Sequence, residues 1–260
     1  MKKLIIAANW KLYIHDAAEA KKNIAALKRM HDLLGSTELL VLPPLPLIPA
    51  VVSATKGSGI AVGAQAVSPF EDGAYTGYVS AQLVQEVGAT WALVGHSEQR
   101  AQVLDGIPAA GATLDLVAAQ VRAAHAAGLR VLLCVGEHER DPSGAHFSEV
   151  AEQLQTALAQ FPNTGTKLAI AYEPVWAIGK SANEACTPAD LEEMVIFIRR
   201  TLTELFDRKA AAKVPILYGG SVDAGNAREL LVQGGASGLL VGRASTDAKT
   251  FIELLRTIQQ

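Results

Sequence analysis

Acidic, basic and imidazole side chains in this chain stand just beyond short apolar runs. Asn9 and Lys11 follow one such run and Gln65 another; then come His96 to Glu98, Glu137, Glu173, Gly219 to Ser221 and Gly242. A carboxylate, an imidazole and an ammonium group are the residue types of acid–base work and of holding an anion, while glycine-rich turns offer backbone N–H groups to phosphate. Other chemistries fit less well. His15, His31, His96, His125, His138 and His146 include no ligand pair on a strand or on one helix turn, and no Cys-x-x-Cys occurs, so no metal or other cofactor is expected. Cys134 and Cys186 stand alone, neither in the setting of a nucleophile.

Groups so scattered act together only if the fold gathers the ends of the runs. Runs rich in Val, Ile and Leu alternate with longer segments of helical period, the mark of parallel β/α units. Strands are expected at Leu4–Ala8, Glu38–Leu42, Ile60–Ala64, Trp91–Val94, Arg130–Val135, Lys167–Tyr172, Pro215–Tyr218 and Gly238–Val241. Between them, spacings such as Leu191, Met194, Val195, Ile198, Leu202 and Leu205 put one apolar stripe on a helix. Gly35, Gly88 and Gly128 stand where left-handed helix caps are expected. Periodicity alone leaves an open doubly wound sheet and a closed barrel both open. In a barrel the carboxyl ends of all strands share one rim, where active sites are built.

Composition agrees with a buried parallel sheet. Of 260 residues, 50% are apolar and 19% charged, enough apolar sequence to cover a sheet on both faces. No linker-like stretch divides the chain, so residues 1–260 are expected to form one domain. The net charge of -3 has no block of one sign behind it, and the basic group Lys21, Lys22, Lys28 and Arg29 reads as a solvated helix face, not a nucleic-acid surface. Asn9 and Lys11 interrupt the first apolar run too early for a signal sequence, and no run approaches the roughly 18 apolar residues of a membrane span. Two isolated cysteines fit a reducing compartment, with the cytoplasm as the default.

Four strand ends carry longer motifs: Asn9-Trp10-Lys11, Gly95-His96-Ser97-Glu98, Tyr172-Glu173-Pro174-Val175-Trp176-Ala177-Ile178-Gly179 and Tyr218-Gly219-Gly220-Ser221-Val222. In these and in their order the chain resembles the triosephosphate isomerase family. Gly63-Ala64-Gln65, Gly73 to Gly77 and Leu133 to Glu137 extend the likeness from the first strand to the last. The resemblance implies an α/β fold, a (β/α)8 TIM barrel, and an aldose–ketose isomerase of a small sugar phosphate. It also implies roles. Glu173 would move the proton, a carboxylate made basic by desolvation when the site closes, and His96 would polarise the carbonyl as neutral imidazole, both being the family's own known pattern. Lys11 would face the phosphate and the developing oxyanion, held by Asn9, with Glu98 as the ionic partner of the lysine. Gly179, Ser221, Gly242 and Arg243 match phosphate-binding positions.

Some positions depart from the family. The segment after Gly179 is longer than usual before Thr187-Pro188 and lacks a second glycine, which alters a closing lid. Gly242-Arg243 replaces a glycine pair, keeping the backbone N–H while adding a side chain. An insertion near Ala101–Thr113, with Gly106, Pro108 and Gly111, is expected to be loop. A longer lid and a Gly-Arg pair are also similar to the family's erythrulose phosphate isomerases, so two substrates stay open: glyceraldehyde 3-phosphate with dihydroxyacetone phosphate, or a four-carbon ketose phosphate. The loop Val67–Val79, with Thr76 at its tip, resembles the loop through which family dimers form; Tyr78 and Gln99 replace a glutamate and an arginine that pair in the family. A homodimer with an altered interface is therefore expected. A phosphate binder without catalysis fits poorly with an intact Glu173, His96 and Lys11, and a barrel synthase would need further acid or base residues at the rim.

Overall fold

In the computed structural model, which describes residues 4–31, 35–104, 106–109, 111–178 and 185–259, the strands run in chain order as follows. They are β1 Ile5–Asn9, β2 Glu38–Leu42, β3 Ala61–Ala64, β4 Trp91–Val94, β5 Val103–Leu104, β6 Ile107–Pro108, β7 Arg130–Val135, β8 Leu168–Tyr172, β9 Ile216–Tyr218 and β10 Gly238–Val241. All but β5 and β6 close one parallel barrel in the order β1-β10-β9-β8-β7-β4-β3-β2. The choice that periodicity left open falls to the closed barrel. Every strand expected from the sequence forms, with ends shifted by no more than a residue.

Closure makes each strand serve two cores. Ile5 and Ala7, Leu40 and Leu42, Trp91 and Leu93, Leu132 and Cys134, Ala169 and Ala171, Leu217 and Leu240 fill the barrel interior. The residues between them, such as Ile6, Ala8, Leu39, Val41, Leu133, Ile170 and Tyr172, pack outward against the helices. This period of two, buried on both faces, is why the strands read as near-continuous apolar runs. Continued past the strand ends, the inward parity falls on Asn9 and Lys11, on Glu173, on Gly219 and on Gly242.

The helices follow their local signals. The helix Pro188–Leu205 opens on a capping box between Thr187 and Asp190 and buries Leu191, Met194, Ile198 and Leu202. Gly35, Gly88 and Gly128 take φ values of 58°, 95° and 82°, the left-handed conformation expected of them. At the amino-terminal end of the barrel Arg130 lies 3.8 Å over the Trp91 ring and 2.5 Å from Glu38 Oε1, which also accepts from the Trp91 indole.

One expectation needs correction. The insertion near Ala101–Thr113 is not plain loop: Val103 and Leu104 pair antiparallel with Pro108 and Ile107. Gly106, at φ 77°, lies in the turn, and proline is tolerated because this hairpin is all edge. Two turn residues and a proline are what a loop shows as well, so the pattern did not distinguish them.

Close strand packing leaves no room at certain glycines. A Cβ on Gly238 would fall 2.0 Å from the Ile5 carbonyl oxygen, across the β1–β10 seam that closes the barrel. Gly238→Ala is expected to destabilise the chain by about 1–3 kcal/mol, or to prevent folding, because backbone would have to move. Urea unfolding of the two proteins side by side measures it; equal midpoints would mean that the seam yields freely.

Candidate active site

The carboxyl ends of the barrel strands surround a cavity of about 370 Å3 whose lining includes Asn9, Lys11, His96, Ser97, Gly219 to Ser221, Gly242 and Arg243. Larger hollows exist, such as one of about 1000 Å3 between the helices Ala17–His31 and Ala248–Thr257, but that one lies outside the barrel and holds neither Glu173 nor His96.

His96 is aimed by the turn beneath it. Gly95 adopts φ 71°, and a Cβ there would press on Val117 and on the Cys134 carbonyl, so the chain leaves β4 in a conformation suited to glycine. His96 then caps the helix Ser97–Arg100, its Nδ1 accepting the Glu98 N–H at 3.2 Å. A ring nitrogen that accepts carries no proton, so the imidazole in this arrangement is the neutral tautomer with hydrogen on Nε2.

Glu173 is fully buried, unlike His96 and Lys11, and is not part of the cavity lining. Its Oε2 accepts the Ser97 N–H at 2.8 Å; Oε1 lies 3.2 Å from His96 Nε2 without the alignment of a hydrogen bond. Space for it comes from glycine: a Cβ on Gly219 would stand 2.9 Å from Glu173 Cγ, and one on Gly136 would meet the Glu173 carbonyl. The strand-end position expected of Glu173 is correct, but its carboxylate rests behind His96 and Ser97, not in the cavity.

Among the described residues, Lys11 holds one of two positive φ values outside glycine, 46°. Its N–H donates to Asn9 Oδ1, its carbonyl accepts from Gln65 Nε2 at 3.0 Å, and its ammonium donates to Glu98 Oε1 at 2.5 Å. Asn9 is itself buried, and the neighbouring Trp10 indole donates to the Ser245 carbonyl, tying the end of β1 to the turn after β10. In that turn a Cβ on Gly242 would lie 3.6 Å from Lys11 Cε, so lysine and the last strand end share one wall. Arg243 is exposed at the mouth, and Ser221 Oγ donates to the Ala177 carbonyl. Gly179 and residues 180–184 of the longer segment after it lie outside the described residues.

Several contributors were not singled out in the sequence. Tyr13 and Asp223 line the cavity with no motif to mark them. Arg100 donates through Nε to Gly95 and through its terminal nitrogens to Gly136, bracing the ends of β4 and β7. Glu137, noted only as a strand-end carboxylate, is fully buried and accepts both the Tyr172 hydroxyl at 2.8 Å and the Trp176 indole at 2.7 Å. Burial, with the Glu137 charge second, pushes the Tyr172 hydroxyl far above its usual range. Tyr78 and Gln99, which replace a charged pair, part company: Tyr78 stands edge-on to Phe70, while Gln99 Nε2 donates to the Gln65 carbonyl. Among the described residues, no group of three or more His, Cys, Asp or Glu is arranged to hold a metal, and no helix is long and apolar enough to cross a membrane.

A closed (β/α)8 barrel with a carboxylate, a neutral imidazole and an ammonium group at the carboxyl-terminal rim is the frame of a barrel isomerase. A sequence model of the family described as triosephosphate isomerase matches residues 4–258. The chain is 39% identical to triosephosphate isomerase of Thermus thermophilus over 98% of its own length and 99% of the relative's. It is 40% identical to that of Halorhodospira halophila, over 98% and 97%. The crystal structure of triosephosphate isomerase from Bartonella henselae superposes with a TM-score of 0.85 at 32% identity, covering 99% of this chain and all of that one. The chain belongs to the triosephosphate isomerase family.

Cys134 is buried beside Glu173 and Cys186 beside Tyr218, and neither is ready to react. Burial first, then the Glu173 charge, raises the Cys134 thiol well above its usual value, and burial pushes Cys186 up to about 12. The folded chain is therefore expected to release no colour from a disulfide thiol reagent at pH 8, and two equivalents once unfolded in guanidinium. Rapid labelling of the native protein would contradict the burial of both.

Proposed function

We propose that this chain interconverts D-glyceraldehyde 3-phosphate and dihydroxyacetone phosphate through an enediolate, as a single-domain enzyme. The observation that carries the reading is the meeting of Glu173, His96 and Lys11 at one rim, with Glu173 and His96 close enough to serve adjacent atoms of one small substrate. The substrate's phosphate sits among the backbone N–H groups of Ser221, Gly242 and Arg243, and Gly179 is assigned to the same group by its motif; the Arg243 side chain stands at the mouth. His96 Nε2–H donates to the carbonyl oxygen, and Lys11 offsets the negative charge that grows there in a site of low water content. Glu173 turns from the Ser97 N–H toward the cavity, takes the proton from the carbon beside the carbonyl and returns it to the neighbouring carbon, while the hydroxyl proton passes from the first oxygen to the second beside His96 Nε2, so that no atom is gained or lost. Asn9 and Glu98 keep Lys11 in place between turnovers.

A four-carbon ketose phosphate is the second reading, favoured by Gly242-Arg243 and by the length of the segment after Gly179. The names of relatives at 39% and 40% identity weigh for the triose. Assay of both substrates decides: turnover of the triose phosphates well above that of a tetrulose phosphate is expected, and no turnover of either would defeat the isomerase reading. Glu173→Gln should lower kcat by about 10²–10⁴-fold, the usual contribution of a positioned base, with a much smaller change in KM. A variant that instead lost phosphate binding at unchanged kcat would move the base elsewhere.

The enzyme acts as a homodimer through the loop Val67–Val79. In support, Tyr75 and Tyr78 on that loop are exposed, Tyr75 stacked on Phe70 at 4.0 Å and Tyr78 edge-on to it at 5.5 Å between ring centres. Sedimentation at micromolar concentration is expected to give twice the 27.4 kDa of one chain, and a species of 27.4 kDa throughout would overturn the assembly. Two cysteines without a disulfide support a cytoplasmic setting.

A further inference from the structure

Gln99 stands where the family usually carries arginine, and its amide turns inward. Its Nε2 donates to the Gln65 carbonyl at 2.9 Å. Gln65 Nε2 in turn donates to the carbonyl of Lys11 at 3.0 Å and to that of Leu42 at 2.9 Å. The residue before Gln99 on the same short helix, Glu98, takes the Lys11 ammonium at 2.5 Å. Two adjacent residues thus reach Lys11 from both ends, one directly at the charge and one through Gln65 at the backbone.

We propose that Gln99 is a positioning residue which, through Gln65, holds Lys11 in its left-handed conformation so that the ammonium faces the substrate's phosphate. The proposal rests on the reading of Lys11 given above. A lysine at φ 46° sits in a region that side chains disfavour and keeps it only if its surroundings insist. Asn9 holds the Lys11 N–H and Gln65 its carbonyl, so both peptide groups beside the strained bond are tied. Gln65, however, has to be held itself, and its own carbonyl is where Gln99 bonds. The orientation of that amide follows from its surroundings. Gln99 Oε1 is buried with no partner, and the reversed amide would set this oxygen against the Gln65 carbonyl oxygen. Gln99 is a firm base for such a strut, because its N–H bonds to the His96 carbonyl at 2.8 Å and its carbonyl accepts the Ala112 N–H at 2.8 Å. The strut therefore links the segment that carries His96 to the backbone of Lys11.

The test compares the full-length chain with Gln99→Met, Gln65→Met and the double variant. Each is measured for kcat and KM with glyceraldehyde 3-phosphate and, by calorimetry, for the Kd of 2-phosphoglycolate. Loss of one hydrogen bond through a neighbour should raise KM and Kd by about 3- to 10-fold in Gln99→Met, with kcat changed much less. The double variant should be no worse than Gln65→Met alone, because Gln99 acts through Gln65. Gln120→Met is the control: Gln120 Nε2 ties the same loop at the Val67 carbonyl, 2.8 Å away, without reaching Lys11, and it should leave both constants as they were. Unchanged Kd in Gln99→Met, multiplying effects in the double variant, or an equal effect of Gln120→Met would each overturn the proposal. Should Gln99→Met not fold, Gln99→Asn, an amide one methylene short, replaces it in the same comparison. A parent chain that binds phosphoglycolate but turns over no triose phosphate would defeat the isomerase reading while leaving the strut to be judged on Kd.

Discussion

The site depends on a buried carboxylate that has little to hold it. Glu173 is excluded from solvent, yet one oxygen rests on the Ser97 N–H, with the weakly donating Cys134 thiol beside the carboxylate, and the other has no hydrogen-bond partner among the described residues. Removing an anion from water without full compensation is costly, and a group so placed stays only while the surrounding packing gives it no better position. The neutral ring of His96 offers it no full counter-charge. Gly136 and Gly219 clear the space it occupies, and Arg100 braces the strand ends from behind. On the proposed reading such a resting place suits a base that has to leave it: a carboxylate fully satisfied by ion pairs would gain nothing by turning toward substrate.

What brings the groups together is strand parity in a closed barrel. Inward residues of β1, β8, β9 and β10 lead, two positions on, to Asn9, Glu173, Gly219 and Gly242, so these were legible once strands and closure were known. His96 breaks the count, since parity puts Gly95 inward and the imidazole outward. The φ of 71° at Gly95 and the helix that starts at Ser97 turn it back over the rim. Here the motif, and not the period of two, identified the residue. The strands themselves were legible because each is short, apolar on both faces and bounded by turn residues.

Other parts had no local signature. Glu137 reads in the sequence as one more strand-end carboxylate, and only the fold shows it gathering the Tyr172 hydroxyl and the Trp176 indole. Gln65 and Gln99 are 34 residues apart, and an amide that bonds to backbone carbonyls imposes no pattern on its neighbours. The hairpin of β5 and β6 escaped because its strands are two residues long, too short to display alternation. Contacts that depend on distance in space, and not on spacing along the chain, are the ones that reading the sequence could not supply.

Lys11 shows how a fixed backbone and a loose charge are combined. Its peptide groups are tied on both sides, while its ammonium is paired with Glu98, whose side chain is 49% exposed. An ion pair so open to water is weak, because solvent screens it and the side chains remain free to part. On the proposed reading, a phosphate dianion entering beside Gly242 would compete for the same ammonium at short range and away from bulk water, where its attraction is larger. The resting pair with Glu98 thus keeps the lysine near the rim without holding it from substrate. Tight control of the main chain and weak control of the charge let one residue be pre-placed and still respond to what binds.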